Sequence, residues 1–356
     1  MNTKFMKLAI ELAKKGKGKV SPNPLVGCVI VKNNKVIAKG WHKYFGANHA
    51  EVEALLSAGQ NAQGADLYCT LEPCNSFGKK PPCSQAIVKS KIKRVFFAVK
   101  DKAVKESVNF MKVNNIEVVG GILEKEAKNL LKDYLIHLKK EPEVCIKTAI
   151  SLDGKIATYK YDSKWISSKK ARNYVHKLRG QYDAVLIGTN TALKDNPFLT
   201  THSKTLQNPV RVVIDSNLNL PKKAHLLDGS VSTVVLYDQT LKKISNHFIK
   251  DGIILTPIDI KAAKKNFNVI IEKLNKFSLK RILIEGGGEI ISSALFSKSV
   301  DKIYFFYSPK IIGGKTAVSV VGGQGVENIV DALKVKNLEI SKFGKDFLVV
   351  GNLKKE

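Results

Sequence analysis

Along the first twenty residues the apolar positions Phe5, Leu8, Ala9 and Leu12 recur at three- and four-residue steps, the spacing of one helical face. Lys4, Lys7, Glu11, Lys14 and Lys15 interrupt any apolar core of a signal peptide, so the stretch reads as an amphipathic helix. Two β-type runs, 25–31 and 35–40, flank Asn33-Asn34, a pair that favours a hairpin turn. A helix is expected from His49 to 57, a strand over 66–71, a helix over 83–89 behind Pro81-Pro82, and an apolar strand over 94–99. A helix over 106–113, a strand over 117–119 and an amphipathic helix over 123–138 complete this first set.

Residues 139–143 form a charged break with a proline, and a domain boundary is expected there, giving domains 1–140 and 144–356. Beyond it the pattern alternates again. Strands are expected over 144–150, 184–187, 210–214, 233–237, 252–255, 281–284, 302–307, 338–341 and 347–351. Helices are expected over 169–178, 262–274 and 289–296. Residues 180–209, apart from the strand at 184–187, and 215–230 read as long loops. Strand–helix alternation with glycine-rich joints implies an α/β sheet of nucleotide-binding type.

The 356 residues are 44% hydrophobic and 25% charged, a globular composition long enough for two cores. No run of about 18 apolar residues occurs, so no membrane span is expected. Five cysteines, an odd number, argue for a reducing compartment, and a cytoplasmic location is expected. Cys28 and Cys145 fall in strand-like apolar runs and read as core residues; Cys69, five residues before Cys74, competes as a ligand but reads as core because 67–71 is a strand. The net charge is +28, but the lysines are scattered and no aromatic-interleaved basic patch stands out. That pattern implies a solvated surface that attracts anionic small molecules, with no nucleic-acid partner expected.

His49-Ala50-Glu51, Pro73-Cys74 and Cys83 carry the sharpest chemistry. One histidine and two cysteines can hold Zn²⁺ tetrahedrally with one position open for water. Glu51, two residues from His49, is then free to move protons. Taken singly, the cysteines are ordinary thiols and His49 a helix-cap histidine. Taken in order they match the H-x-E…P-C-x-x-C pattern of zinc nucleobase deaminases, except that eight residues separate Cys74 from Cys83. A second constellation is Gly286-Gly287-Gly288, which joins a strand to a helix and lets backbone N–H groups approach a phosphate. It is not G-x-G-x-x-G, so it does not imply a Rossmann fold. Arg179 suits a phosphate or carboxylate partner, and Trp165 suits either the core or a flat cofactor.

These motifs come together in a resemblance that covers the whole chain. Ser21-Pro22-Asn23-Pro24-Leu25-Val26-Gly27, Gly40-Trp41-His42, His49-Ala50-Glu51, Thr70-Leu71-Glu72-Pro73-Cys74 and Pro81-Pro82-Cys83 resemble the bifunctional riboflavin-biosynthesis deaminase–reductase family. So do Ser151-Leu152-Asp153-Gly154-Lys155, Ser163-Lys164-Trp165-Ile166, Asp195-Asn196-Pro197 and Glu285-Gly286-Gly287, and the long cysteine spacing is itself a family feature. The resemblance implies an N-terminal cytidine-deaminase-like α/β/α domain and a C-terminal dihydrofolate-reductase-like α/β domain. It implies His49, Cys74 and Cys83 as zinc ligands, Glu51 as proton shuttle, and Asn23 and His42 as substrate contacts. In the second domain it implies NADPH contacts at Ala149, Trp165, Thr191, Asp195, Ser216, Gly287 and Gly288. Substrate contacts are implied at Ser163, Arg179, Leu199, His202 and Glu285, with Arg179 holding the phosphate. The implied substrate is a phosphorylated pyrimidine, the implied cofactors are Zn²⁺ and NADPH, and a homo-oligomer is expected. A nucleic-acid-editing zinc deaminase is the alternative reading.

Three departures from the family pattern stand out. Asn75-Ser76 replaces the common Ser-His after Pro-Cys. Asp101-Lys102-Ala103 replaces an Asp-Pro with paired glycines. His202 stands where the family usually has an arginine, exchanging a fixed charge for a titratable one.

Overall fold

The computed structural model describes residues 3–17, 19–75, 82–101, 106–138, 142–203 and 205–353. The chain divides into two compact units, Met1–Lys140 and Glu141–Glu356.

The first unit runs α1 (Thr3–Ala13), β1 (Gly27–Lys32), β2 (Lys35–Trp41), α2 (Ala50–Ala58), β3 (Asp66–Leu71), α3 (Cys83–Lys89), β4 (Arg94–Val99), α4 (Ser107–Val113), β5 (Glu117–Val119), α5 (Glu124–Leu130) and α6 (Lys132–His137). Its sheet has the order β2-β1-β3-β4-β5. β1 is antiparallel to β2 and β3, while β3, β4 and β5 are parallel. The hairpin turns at Asn33 and Asn34, both at positive φ as such a turn requires. Helices cover the sheet closely. A Cβ added to Gly40 on β2 would fall 2.2 Å from the Ala50 carbonyl oxygen at the start of α2. Glycine therefore lets α2, which carries the site, lie directly on the strand. The expected helix over 123–138 is two helices, because Leu131, buried, ends the first of them.

The second unit runs β6 (Glu143–Ser151), β7 (Lys155–Ala157), α7 (Lys169–Arg179), β8 (Ala184–Gly188), α8 (Thr189–Asp195), β9 (Val210–Ile214), β10 (Thr233–Asp238), β11 (Ile253–Ile258), α9 (Ile260–Lys265), α10 (Asn268–Asn275), β12 (Arg281–Ile284), α11 (Gly288–Phe296), β13 (Lys302–Ser308), β14 (Val318–Ser319), β15 (Val335–Phe343) and β16 (Asp346–Leu353). Nine strands form one sheet in the order β11-β10-β9-β8-β12-β6-β13-β16-β15. The pairings from β11 to β13 are parallel, and the last two are antiparallel. Parallel strands buried on both faces read as the continuous apolar runs seen in the sequence.

Two expectations are corrected here. The helix expected over 262–274 breaks at Asn266, the extended C-cap of α9, whose Oδ1 accepts the N–H of Asn268 at the start of α10. The loop expected over 180–209 contains α8, a polar helix that starts directly after Gly188.

Candidate active sites

In the first unit, β3 delivers Glu72-Pro73-Cys74 into a pinned loop. Asp101 N–H donates to Glu72 Oε2 at 3.2 Å, Ser107 Oγ donates to the Pro73 carbonyl at 2.6 Å, and Ser84 Oγ donates to Asn75 Oδ1 at 2.7 Å. Asn75 thus uses its carbonyl to hold a fully buried serine. Ser76, Lys102 and Ala103 lie outside the described residues.

Two of the three metal-type ligands lie at helix starts. His49 is the N-cap of α2 and Cys83 the first residue of α3, but Cys74 lies in the loop after β3. It meets a helix start all the same. The Cys83 N–H donates to Cys74 Sγ at 3.3 Å, and the Ser84 N–H donates to the Cys74 carbonyl at 3.1 Å. Two otherwise orphaned donors of α3 are satisfied this way, and the helix end favours a thiolate.

His49 Nδ1, Cys74 Sγ and Cys83 Sγ lie within 4.8 Å of one another. His49 Nδ1 is 3.2 Å from Cys83 Sγ and 3.5 Å from Cys74 Sγ. With ordinary Zn–N and Zn–S lengths, a tetrahedral edge between N and S is about 3.5 Å, so the donor set fits zinc. The thiols share their remaining proton unequally. The hydrogen bond from the Cys83 thiol pulls Cys74 down to about 4, and the same bond raises Cys83. That bond favours the thiolate form of Cys74, and a divalent cation would displace the proton held on Cys83.

Around this set lie the other residues expected in the first site. Glu51 is buried, and burial raises its carboxyl to about 7 against the opposing pull of His49. His42, also buried, meets the His49 ring edge-on at 5.8 Å. Burial lowers His42 to about 4, so its ring is neutral at pH 7. Its Nδ1 lies 3.0 Å from the Asn48 carbonyl oxygen and its Nε2 lies 3.2 Å from Asn23 Nδ2. A carbonyl only accepts and an amide nitrogen only donates, so the proton sits on Nδ1. Cys28 and Cys69 are buried on paired strands, as expected of core residues.

In the second unit the expected residues gather at the C-terminal ends of parallel strands, where open α/β sheets bind ligands. Glu285-Gly286-Gly287 follows β12, Thr189 to Asp195 follows β8, and Asp215-Ser216 follows β9. Gly287 is the N-cap of α11, and a Cβ on it would lie 3.7 Å from Thr191 Oγ1. Asp215 is fully buried and shapes the turn beyond Ser216 by accepting from Asn219 N–H and Leu220 N–H. Ser163 Oγ donates to Asp195 Oδ1 at 3.1 Å. Ala149 lies half-buried on β6. Trp165 is 62% exposed rather than core, and its ring faces the Arg172 guanidinium at 4.3 Å.

Glu285 is the charged centre. Arg179 Nε and Nη2 donate to its two oxygens at 2.7 and 3.0 Å, and Lys147 Nζ lies 3.1 Å from Oε2. Burial pushes the carboxyl up, but Arg179 and Lys147 outweigh it and hold Glu285 down to about 2. The Arg179 fork expected to grip a phosphate is thus engaged by Glu285. A third bond, from Arg179 Nη1 to the Thr200 carbonyl at 2.9 Å, ties in the loop that carries Leu199 and His202. Leu199 is buried, whereas His202 is exposed and lies 4.3 Å from the His176 ring. Lys147 was missed by the sequence reading. Its signal was a lysine inside the otherwise apolar run 144–150.

Comparison with known proteins decides the family. The model of the RibD C-terminal domain matches residues 142–349. That of the cytidine and deoxycytidylate deaminase zinc-binding region matches residues 1–99. The riboflavin biosynthesis protein RibD of Aquifex aeolicus is 38% identical over 352 residues, covering 97% of this chain and 96% of that protein. The chain belongs to the RibD family. The RibD of Bacillus amyloliquefaciens is 34% identical, covering 97% of this chain and 95% of its own. Among solved structures, a diaminohydroxyphosphoribosylaminopyrimidine deaminase/5-amino-6-(5-phosphoribosylamino)uracil reductase from Thermotoga maritima is 38% identical. Its TM-score is 0.53, with 99% of this chain and 98% of that one covered. Acinetobacter baumannii RibD is 31% identical with a TM-score of 0.56, covering 99% and 98%. Like other RibD proteins, this one joins a cytidine-deaminase-like domain to a pyrimidine-reductase domain of dihydrofolate-reductase type.

Proposed function

We propose that the chain is a bifunctional enzyme of riboflavin biosynthesis. The first unit hydrolytically deaminates 2,5-diamino-6-ribosylamino-4(3H)-pyrimidinone 5′-phosphate. The second reduces the ribosyl side chain of the product to ribityl with NADPH. The observation that carries this reading is the His49/Cys74/Cys83 donor set with a buried, non-ligating Glu51 beside it. A purely structural metal site has no use for that carboxylate, and a diffuse lysine surface does not favour a nucleic-acid-editing enzyme.

His49, Cys74 and Cys83 would hold zinc, which when bound supplies a Lewis acid and lowers the pKa of water. Glu51 moves the proton. Buried beside the donor set, it takes a proton from the attacking water and returns it to the departing amine. Neutral His42 orients the Asn23 amide by accepting one of its hydrogens, and the remaining polar atoms of Asn23 meet the pyrimidine.

NADPH, when bound, supplies the hydride for the second reaction. Thr191, Asp195, Ser216 and the Gly287-Gly288 turn hold the cofactor, with Trp165 and Ala149. Ser163, Leu199, His202 and Glu285 contact the substrate, and Arg179 serves it through Glu285 and the Thr200 carbonyl. Opening the ribose leaves an oxygen that needs a proton, and the Lys147 ammonium, held on Glu285, is the donor this site offers. We place the enzyme in the cytoplasm as a homo-oligomer. No described helix is long and apolar enough to cross a membrane.

The test is metal content and ammonia release. Purified protein should carry about one zinc per chain, as three protein ligands allow. Cys83→Ala should lose both metal and deamination. Glu51→Gln should keep the metal while ammonia release falls by roughly 10²–10⁴-fold, the usual contribution of a positioned acid–base group. Normal deamination by Glu51→Gln would refute the shuttle role.

A further inference from the structure

The turn over 151–155, which joins β6 to β7, has no part in the chemistry above, yet it is the hub of a hydrogen-bond network. Asp153 spreads its carboxylate over two successive amides. The Ile312 N–H donates to its Oδ1 at 3.0 Å and the Gly313 N–H to its Oδ2 at 2.7 Å. Beside it, the Leu152 N–H donates to the Lys310 carbonyl at 2.7 Å, and the Gly154 carbonyl accepts from the Val320 N–H at 3.0 Å. Lys155 Nζ donates to Ser319 Oγ at 3.1 Å, where β14 pairs with β7. Hydrogen bonds from Ser151, Ile312 and Gly313 hold Asp153 down to about 2, so it is a carboxylate throughout the working range.

The segment gripped this way, 310–322, reaches residues assigned to the cofactor at both of its ends. At one end Lys310 Nζ donates to the Trp165 carbonyl. At the other, the Gly322 N–H donates to the Gly288 carbonyl at 3.0 Å. That second contact is close, since a Cβ on Gly288 would fall 2.6 Å from the Ser319 carbonyl oxygen. Trp165 is largely exposed, so polar ties rather than core packing fix its backbone. Bonds to an ionised acceptor are roughly twice as strong as neutral ones, which makes Asp153 the firmest hold on the segment.

We propose that Asp153 is a positioning residue for the reductase reaction: through residues 310–322 it sets Trp165 and the Gly287-Gly288 turn at the separation that NADPH needs. This rests on the assignment of those residues to the cofactor and names what holds them in place. Asp153 itself touches no cofactor in this arrangement. Its place argues against a plain fold-holding role. It is exposed, outside the apolar core, and its bonds run to a loop rather than to the sheet. That loop adds no strand to the nine-stranded sheet, and what it fixes is the two contacts at its ends.

The experiment uses the full chain in a Trp41→Phe background, where Trp165 is the sole tryptophan. Asp153→Ala should raise the NADPH KM, and the Kd read from Trp165 quenching, about tenfold, part of the ~10²-fold that a misplacement of about 1 Å costs. The kcat at saturating NADPH and the KM for the deaminated compound should stay native. In the cofactor-free protein acrylamide should quench Trp165 more strongly in Asp153→Ala. Asp153→Asn, which keeps one acceptor oxygen, should recover part of the loss. Lys310→Met should weaken NADPH binding too, and Asp153→Ala/Lys310→Met should be no worse than Asp153→Ala, since both act through one segment. Ammonia release should be native in every variant. A lower kcat at native NADPH KM would mean lost folded enzyme and would overturn the positioning role. So would native KM, Kd and acrylamide quenching in Asp153→Ala while Trp165→Ala raises the NADPH KM. A native NADPH KM in Trp165→Ala would overturn the cofactor assignment of Trp165 and this inference with it.

Discussion

Glu51 and His42 are both buried around His49, and burial moves them in opposite directions. Glu51 rises from 4.5 to about 7, so the folded protein binds its proton more tightly than the unfolded chain does. That contribution is fully present below pH 4.5 and is lost as pH rises through 7. His42 falls from 6.5 to about 4, so it opposes Glu51 over the lower part of that range. In chelator-treated protein, Glu51→Gln should remove the first effect only. Native protein should lose roughly 3 kcal/mol relative to the variant between pH 4.5 and 7.5, read from urea unfolding. An equal pH dependence of both proteins would contradict the buried-carboxyl assignment. Glu285 gives the reverse sign. Its carboxyl is held down to about 2, so its stabilisation is present above 4.5 and is lost as pH falls toward 2. Glu285→Gln strands Arg179 and Lys147, and should cost about 3–5 kcal/mol in thermal or urea unfolding. At this scale the metal set was legible because histidine, cysteine and glutamate announce their chemistry at short spacing. Lys147 and the Arg179–Glu285 pair were not, since the partners stand 138 and 106 residues apart and only the sheet joins them.

The elements aim these residues, and α2 does so most directly. Its seat on β2 depends on Gly40, where a Cβ would lie 2.2 Å from Ala50 O and 2.6 Å from Ala54 N. Backbone cannot yield as a side chain can. Gly40→Ala should push α2 outward and carry His49 and Glu51 with it. We expect a loss of about 1–3 kcal/mol, as for other overpacked sites. Zinc affinity and ammonia release should fall at least about tenfold, the effect of sub-ångström misplacement in a catalytic site. NADPH oxidation should be untouched, and a variant with native zinc affinity would refute this seating. The central strands were the legible elements, because β1, β4, β8 to β10, β12 and β13 are apolar runs rich in β-branched and aromatic residues, whereas the short β7 and β14 carry no such run and were not expected. The breaks were harder. Asn266 ends one helix and accepts the first N–H of the next within a pattern that keeps helical spacing on both sides. α8, with the sequence TNTALKD, is too polar and short to show a face.

Across the whole molecule, two units each keep their own sheet, and the charged stretch 139–143 lies where they divide. The +28 charge is spread over both and suits capture of a phosphorylated substrate that visits each site in turn. What the sequence did not disclose at this scale is which side of β15 and β16 meets water: Ile340, Leu338 and Phe347 are exposed, whereas Leu348 is buried. An alternating strand looks the same whether its second face meets a helix, a partner or water. The central claim is that one chain runs two reactions in a fixed order, deamination first. The most direct test follows ammonia and NADPH together with the pyrimidine phosphate as sole substrate. Native protein should release ammonia and then oxidise NADPH in equal amount. Glu51→Gln should do neither until the deaminated compound is supplied, which should restore NADPH oxidation alone. Lys147→Met should release ammonia and leave NADPH unused. NADPH oxidation that precedes ammonia release, or that persists at the native rate in Glu51→Gln without added product, would contradict this order.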